Sequence, residues 1–244
     1  MLIKAVFFNQ SFLSKHVSLS NLFLLYACSN MLFKTIGKRR KVKIKLAYKL
    51  KNDETANNLI FATYNCRLFS KEEEQKLIHQ MNNQKICLIT LTETRTKKRQ
   101  TLTENGFLIY LSDGNKYAGV GFAINNRLRR SVTQIEYYNE RIGYLEKKID
   151  NYEIGIWVIY FCTNWSNNEE EKEKLTELLI KIVKFKHNLH KKMIMGDFNA
   201  CISNSKINRI NGGINFGNIK INSNDEYLLK VVIDTEMAIT NTHF

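Results

Sequence analysis

The sequence predicts an α+β domain in which two packed, mostly antiparallel sheets are flanked by helices. Three observations carry that expectation. From residue 59 onward, short runs rich in β-forming residues outnumber helical patterns. Two capped helical patterns fall between such runs instead of being collected at one end. One run, residues 152–161, is apolar on both faces, as a central strand covered on both sides requires. With 244 residues, 44% of them hydrophobic, the chain can build a sizeable core, which excludes disorder as its main state. The absence of any proline excludes proline-rich and collagen-like architectures.

Residues 59–64 (Leu-Ile-Phe-Ala-Thr-Tyr) read as the first strand of this body. Ser70-Lys71-Glu72-Glu73 is a capping box that opens a helix to about Met81, with Leu77 and Ile78 inward. Residues 86–91 form a continuous apolar run, a strand buried on both sides. Residues 107–111 and 118–124 are strands separated by the turn-rich Ser112-Asp113-Gly114-Asn115. Three strands follow at 131–137, 142–149 and 152–161, the last two joined by a hairpin at Asp150-Asn151. In the third, Ile154, Ile156, Val158 and Tyr160 share one face, and Trp157, Ile159 and Phe161 the other. Ser166-Asn167-Asn168-Glu169 is a second capping box, opening a helix to about Lys186 with Leu175, Leu178, Leu179, Ile182 and Val183 as its apolar stripe. A short strand at 192–195 ends at Gly196. Residues 203–224 read as a long loop and 225–237 as a final helix.

Charge divides the chain. Thirty-seven Lys and Arg against 23 Asp and Glu give +14, which suggests a polyanionic partner, nucleic acid or an anionic membrane surface. Eleven of those bases and none of the acids lie in residues 1–51, leaving 26 bases against 23 acids thereafter. Residues 1–58 are therefore expected to be a basic, poorly ordered N-terminal extension, and 59–244 the folded domain. The run from Lys38 to Lys45 suits a nuclear-localisation or backbone-gripping patch, or simply a solvated arm. The apolar stretch 17–28 is too short for a stable membrane span of ~20 residues. The five cysteines show no CxxC pairing, and Cys66, Cys87 and Cys162 sit in apolar runs. A reduced, intracellular setting, nuclear if the basic run is an import signal, fits better than a cleaved signal peptide. The oligomeric state is left open.

Four positions at or just past strand ends carry candidate chemistry. In Gly196-Asp197-Phe198-Asn199-Ala200 a carboxylate and an amide two residues apart can orient water and donate to developing charge, though the phrase is also good turn chemistry. Asn65 offers an amide oxygen to a hard cation, or a turn cap. Glu93 offers a carboxylate suited to Mg²⁺, or is a solvated loop acid. Tyr160 by itself reads as a core residue with a satisfied hydroxyl.

Thr63-Tyr64-Asn65-Cys66-Arg67, Thr92-Glu93-Thr94-Arg95, Gly119-Val120-Gly121-Phe122, Ile159-Tyr160-Phe161-Cys162-Thr163 and Met195-Gly196-Asp197-Phe198-Asn199-Ala200, in that order, resemble the endonuclease/exonuclease/phosphatase superfamily. The resemblance is strongest to non-LTR retrotransposon endonucleases and craniofacial development protein 2-like proteins. Asn139-Glu140-Arg141-Ile142 and Thr240-Asn241-Thr242-His243-Phe244 add to it. It implies a four-layer α/β sandwich that hydrolyses phosphodiester bonds of nucleic acid, DNA above all, with Mg²⁺, or Mn²⁺ in its place. It further implies Asn65 and Glu93 as metal ligands, Tyr160 as a contact to the scissile phosphate, Asp197 as the acid that orients or deprotonates water, and Asn199 as the amide that steadies the transition state. Arg141 is a candidate phosphate contact, or a surface partner of Glu140.

The chain also departs from the family pattern. The family has Tyr-Ala-Pro-Thr where this chain has Tyr160-Phe161-Cys162-Thr163. It places a tryptophan segment, a further acid and a catalytic histidine after the phrase that closes this sequence at Phe244. None of the five histidines matches that position, and His187 and His190 suit a helix C-terminus better than a metal. The expectation is thus a domain whose last strands are missing, weakly active or inactive as given. The alternatives are a catalytically dead nucleic-acid-binding remnant, or a phosphatase or phospholipid phosphodiesterase of the same fold.

Overall fold

A computed structural model of the chain describes residues 6–9, 45–50, 59–98, 100–104, 106–149, 152–163, 168–200 and 222–239. The first half runs β1 (Val6–Asn9), β2 (Lys45–Leu50), β3 (Leu59–Asn65), α1 (Lys71–Asn83), β4 (Leu88–Thr92), β5 (Gln100–Glu104), β6 (Phe107–Leu111), β7 (Val120–Asn125) and the single turn α2 (Asn126–Arg129). The second runs β8 (Val132–Tyr137), β9 (Ile142–Ile149), β10 (Tyr152–Tyr160), α3 (Glu169–Phe185), β11 (Lys191–Asp197), α4 (Asn224–Asp234) and β12 (Met237–Ile239). One six-stranded sheet has the order β2-β3-β4-β7-β6-β5, the other β12-β1-β11-β10-β9-β8.

The apolar periodicities decide how the layers stack. Phe61, Leu88 and Phe122 from the first sheet meet Leu145, Ile156, Val158 and Met195 from the second, forming the core between the sheets. Leu77, Ile78 and Met81 of α1 cover the outer face of the first sheet, over Ile89 and Ile109. Leu179, Ile182 and Val183 of α3 and Leu228, Val231 and Val232 of α4 cover the second, over Trp157 and Ile159. The result is the four-layer sandwich expected. Strand β10 shows the cause most clearly: its even-numbered residues from Ile154 to Tyr160 enter the inter-sheet core, while Trp157, Ile159 and Phe161 enter the helix side. Each such large buried side chain contributes about 2 kcal/mol of transfer free energy.

The helix starts are set by caps. Ser70 Oγ accepts from the Glu73 N–H at 3.2 Å, as the capping box predicts. The reciprocal bond is replaced, because the Glu73 carboxylate takes the Tyr64 hydroxyl at 2.6 Å and Lys76 at 2.9 Å. The second helix begins later than expected. Its cap is Asn168, whose Oδ1 accepts from the Glu171 N–H at 3.1 Å; Ser166 lies outside the described residues.

Strands β5 and β12 and the turn α2 were not expected; all three are short, and β5 (Gln-Thr-Leu-Thr-Glu) has no apolar run. Two strands also come from the basic head. β1 pairs antiparallel with both β11 and β12, and β2 pairs antiparallel with β3. The boundary that charge sets at residue 59 therefore does not mark where the strands begin, because backbone pairing is indifferent to the charge of a segment. The apolar stretch 17–28, most of the basic run, the Asp150-Asn151 hairpin, residues 203–221 of the expected loop and the closing Thr240–Phe244 phrase lie outside the described residues. Cys66, Cys87 and Cys162 are buried, as their apolar settings predict. Among the described residues no helix is long and apolar enough to cross a membrane.

Candidate active site

Each sheet contains one parallel strand pair, β3–β4 and β10–β11, and a helix joins each pair, α1 and α3 respectively. Parallel strands joined by a helix present their carboxyl ends to an open crevice. Asn65 ends β3, Glu93 follows β4, Tyr160 ends β10 and Asp197 ends β11. The register sets Asn65 opposite Thr92 and Tyr160 opposite Asp197. Four sequence candidates, two from each sheet, thus meet on the seam between the sheets.

The Asn65 amide is the link. Its Nδ2 donates to Glu93 Oε1 at 2.6 Å and, across the seam, to Asp197 Oδ2 at 3.3 Å. Its Oδ1 accepts from the Arg67 N–H at 3.1 Å, which orients the amide with its nitrogen toward the carboxylates. As bonded here, Asn65 is a hydrogen-bond donor between two acids; presenting its oxygen to a cation requires the amide to turn over. Glu93 Oε2 accepts from Arg95 Nη2 at 2.8 Å. Burial first, then the neighbouring Glu93 and Asp197 carboxylates, hold the Tyr160 phenol well above its ordinary range. At neutral pH Tyr160 is therefore a protonated donor.

Asp197 is 1% exposed, and its Oδ1 accepts from the Asn199 backbone N–H at 3.1 Å. The Asn199 side chain turns away from the acid: Nδ2 donates to the Phe161 carbonyl at 2.8 Å, while Asn222 Nδ2 donates to the Asn199 carbonyl at 2.9 Å. Arg141 is engaged on the helix side. Its Nε donates to Glu171 Oε1 of α3 at 3.2 Å, its Nη1 to the Tyr160 carbonyl at 3.4 Å, and its guanidinium lies 5.7 Å from the Tyr160 ring centroid. It borders a cavity of about 390 Å³ that Asn139, Glu140, Glu170 and Lys174 also line. His187 sits at the end of α3 with Nδ1 3.1 Å from the Phe185 carbonyl, and His190 Nδ1 accepts from the Glu153 N–H at 3.2 Å, so neither joins the seam.

Backbone strain is concentrated here. Arg67, Glu93, Arg95 and Asn199 all have left-handed φ, between 49° and 59°. Such a conformation costs a non-glycine residue roughly 1–2 kcal/mol. The two glycines beside the site are needed for a different reason. A Cβ on Gly196 (φ 143°) would lie 2.0 Å from the Ile159 carbonyl oxygen of the neighbouring parallel strand. A Cβ on Gly119 (φ 144°) would lie 2.3 Å from Thr94 Oγ1. The motif glycine before Asp197 thus sits where the facing backbone of β10 leaves no room for a side chain.

Sequence reasoning assigned Arg95 no role, although it stands inside the Thr-Glu-Thr-Arg phrase. Its i,i+2 spacing from Glu93 was the available signal. What brings the two heads together is the left-handed backbone at both residues, which a sequence without glycine there does not announce.

The donor set suits a hard divalent cation. Glu93 and Asp197 converge on one amide nitrogen, and the oxygens of Asn65, Glu93 and Asp197 are amide and carboxylate, the ligands that Mg²⁺ and Mn²⁺ prefer. Among the described residues no three His, Cys, Asp or Glu side chains form a closed cage. Mg²⁺ takes only one or two carboxylates and keeps its waters, so a pair of acids is sufficient.

Two packed mixed sheets flanked by helices are the architecture of the endonuclease/exonuclease/phosphatase fold, and the chain has that fold. Among solved structures, it is similar to a 3'-5' exonuclease from Neisseria meningitidis, at 12% identity over 71% of this chain and 70% of that one, with a TM-score of 0.51. It is likewise similar to an AP endonuclease from Archaeoglobus fulgidus, at 16% identity over 72% and 70%, with a TM-score of 0.51. An AP endonuclease from Leishmania major matches at 11% identity over 72% and 66%, with a TM-score of 0.50. No protein-family model and no curated protein matches the sequence.

Proposed function

We propose that this chain hydrolyses phosphodiester bonds of nucleic acid, DNA above all, with Mg²⁺ or Mn²⁺ as its cation. The observation that carries this reading is the Asn65–Asp197 hydrogen bond across the seam, which draws Glu93, Tyr160 and Asp197 into one group. Glu93, with Asn65 once its amide turns, would hold the cation. Bound there, a divalent cation supplies Lewis-acid neutralisation of phosphate charge. The protein's own groups do the rest. Asp197, fixed by the Asn199 backbone N–H, orients the attacking water and accepts its proton. Tyr160, kept protonated, donates to a phosphate oxygen. In this reading Asn199 acts through Asp197, and Arg141 acts by holding Tyr160 and α3 together rather than by touching phosphate.

The test is a plasmid-nicking assay with Mg²⁺. Slow nicking is expected, reduced ~100-fold or more by Asp197→Ala, the lower range for losing a positioned base. Nicking that survives Asp197→Ala would refute the reading. Retention of plasmid in a gel-shift without nicking, with or without metal, would favour the binding remnant instead.

A further inference from the structure

Glu93 is neutralised from within the chain. One carboxylate oxygen takes the Asn65 amide, and the other takes the Arg95 guanidinium at 2.8 Å. The Glu93 side chain is 13% exposed and that of Arg95 37%, so the pair is partly shielded from water. The backbone is bent to make it: Glu93 and Arg95 both hold left-handed φ, of 54° and 53°, around the fully buried Thr94. The arrangement is also incomplete, because Arg95 Nε is buried with no hydrogen-bond partner among the described residues. Arginine stays charged at any working pH and cannot step aside by losing a proton. Its positive head therefore stands against the same carboxylate that the proposed cation needs.

Building on the metal-dependent reading above, we propose that Arg95 is a built-in counter-cation of the site, an alternative occupant of Glu93 that competes with the divalent metal. Metal binding then has to move a guanidinium off Glu93 Oε2, and the displaced fork, still on the rim, is free for phosphate, whose oxygens it fits in pairs. Affinity for metal alone is held down, and nucleic acid, by giving the guanidinium a second partner, raises it. The two ligands are thereby coupled through one side chain, and such coupling acts in both directions.

Calorimetric titration of the full chain with Mn²⁺ alone, without nucleic acid, tests this directly. Arg95→Met keeps the apolar stem and removes the charge. It should bind Mn²⁺ about three- to ten-fold more tightly than the unmodified chain, while Arg95→Lys should fall between the two. Equal or weaker binding by Arg95→Met, with melting temperature unchanged, would overturn the proposal and make Arg95 a support for Glu93. Should Arg95→Met melt early, Arg95→Gln decides in the same way. Glu93→Gln separates this inference from the reading beneath it. If Mn²⁺ binding is insensitive to Glu93→Gln, the metal site itself is wrong; if Glu93→Gln abolishes binding and Arg95→Met leaves it unchanged, only the competition is wrong.

Discussion

Replacing Lys147 by methionine should stabilise the protein, by an amount that shrinks as pH rises. Lys147 follows Leu145 by two residues in β9 and so enters the core between the sheets, where it has no exposed surface. Its ammonium lies 5.4 Å from the Phe61 ring and has no hydrogen-bond partner among the described residues. Burial, opposed slightly by Cys87, pushes the amine down from 10.5 to about 8. Because the folded value is depressed, the unfolded chain binds more protons between pH 8 and 10.5, and stability rises with pH across that window. Below pH 8 the whole penalty is present, about 3 kcal/mol at 1.36 kcal/mol per unit. At pH 7 the Lys147→Met variant should therefore unfold at about 1 M more urea, given a slope of roughly 3 kcal/mol per molar for a domain this large. By pH 9.5 the advantage should fall to roughly half or less. Urea unfolding followed by tryptophan fluorescence at both pH values measures this. A variant no more stable than the parent at pH 7, or a difference that does not change with pH, would refute the argument.

Two further outcomes follow from local geometry. Gly196→Ala places a methyl group 2.0 Å from the Ile159 carbonyl oxygen on a backbone that disfavours side chains, so it should cost several kcal/mol and appear as a large fall in melting temperature; a fall of a degree or two would show that the β10–β11 approach relaxes easily. Asn168→Ala removes the oxygen that caps α3 and should cost about 1 kcal/mol, read as a shift in urea midpoint with Asn168→Ser close to the parent; an unchanged midpoint would remove Asn168 as the cap.

Strong periodicity made the central elements legible. The two-faced alternation of residues 154–161 and the stripe Leu175–Val183 could only be a covered strand and a helix lying on it, and they are. The candidate site was legible as an order of phrases, because Asn65, Glu93, Tyr160 and Asp197 each lie at or just past the end of an apolar run that is easy to locate. What could not be read is what depends on partners distant in sequence. Which end of the Asn65 amide faces the acids is decided by the Arg67 N–H. The pairing of Arg141 with Glu171, not Glu140, is decided by where α3 lies. The strands Val6–Asn9 and Lys45–Leu50 were hidden by the basic character of the segment that holds them, which says nothing about backbone pairing.

The division of strands between the sheets makes the site a lock with two keys. Apart from β1, every described strand before residue 126 belongs to one sheet and every described strand after residue 131 to the other. A cut near Arg130 would leave Asn65 and Glu93 on one fragment and Tyr160 and Asp197 on the other. Neither fragment could assemble the group alone, and mixing them would restore it only as the sheets dock. The crossing strand β1, carried by the first fragment but paired within the second sheet, would act as the strap that brings them back together.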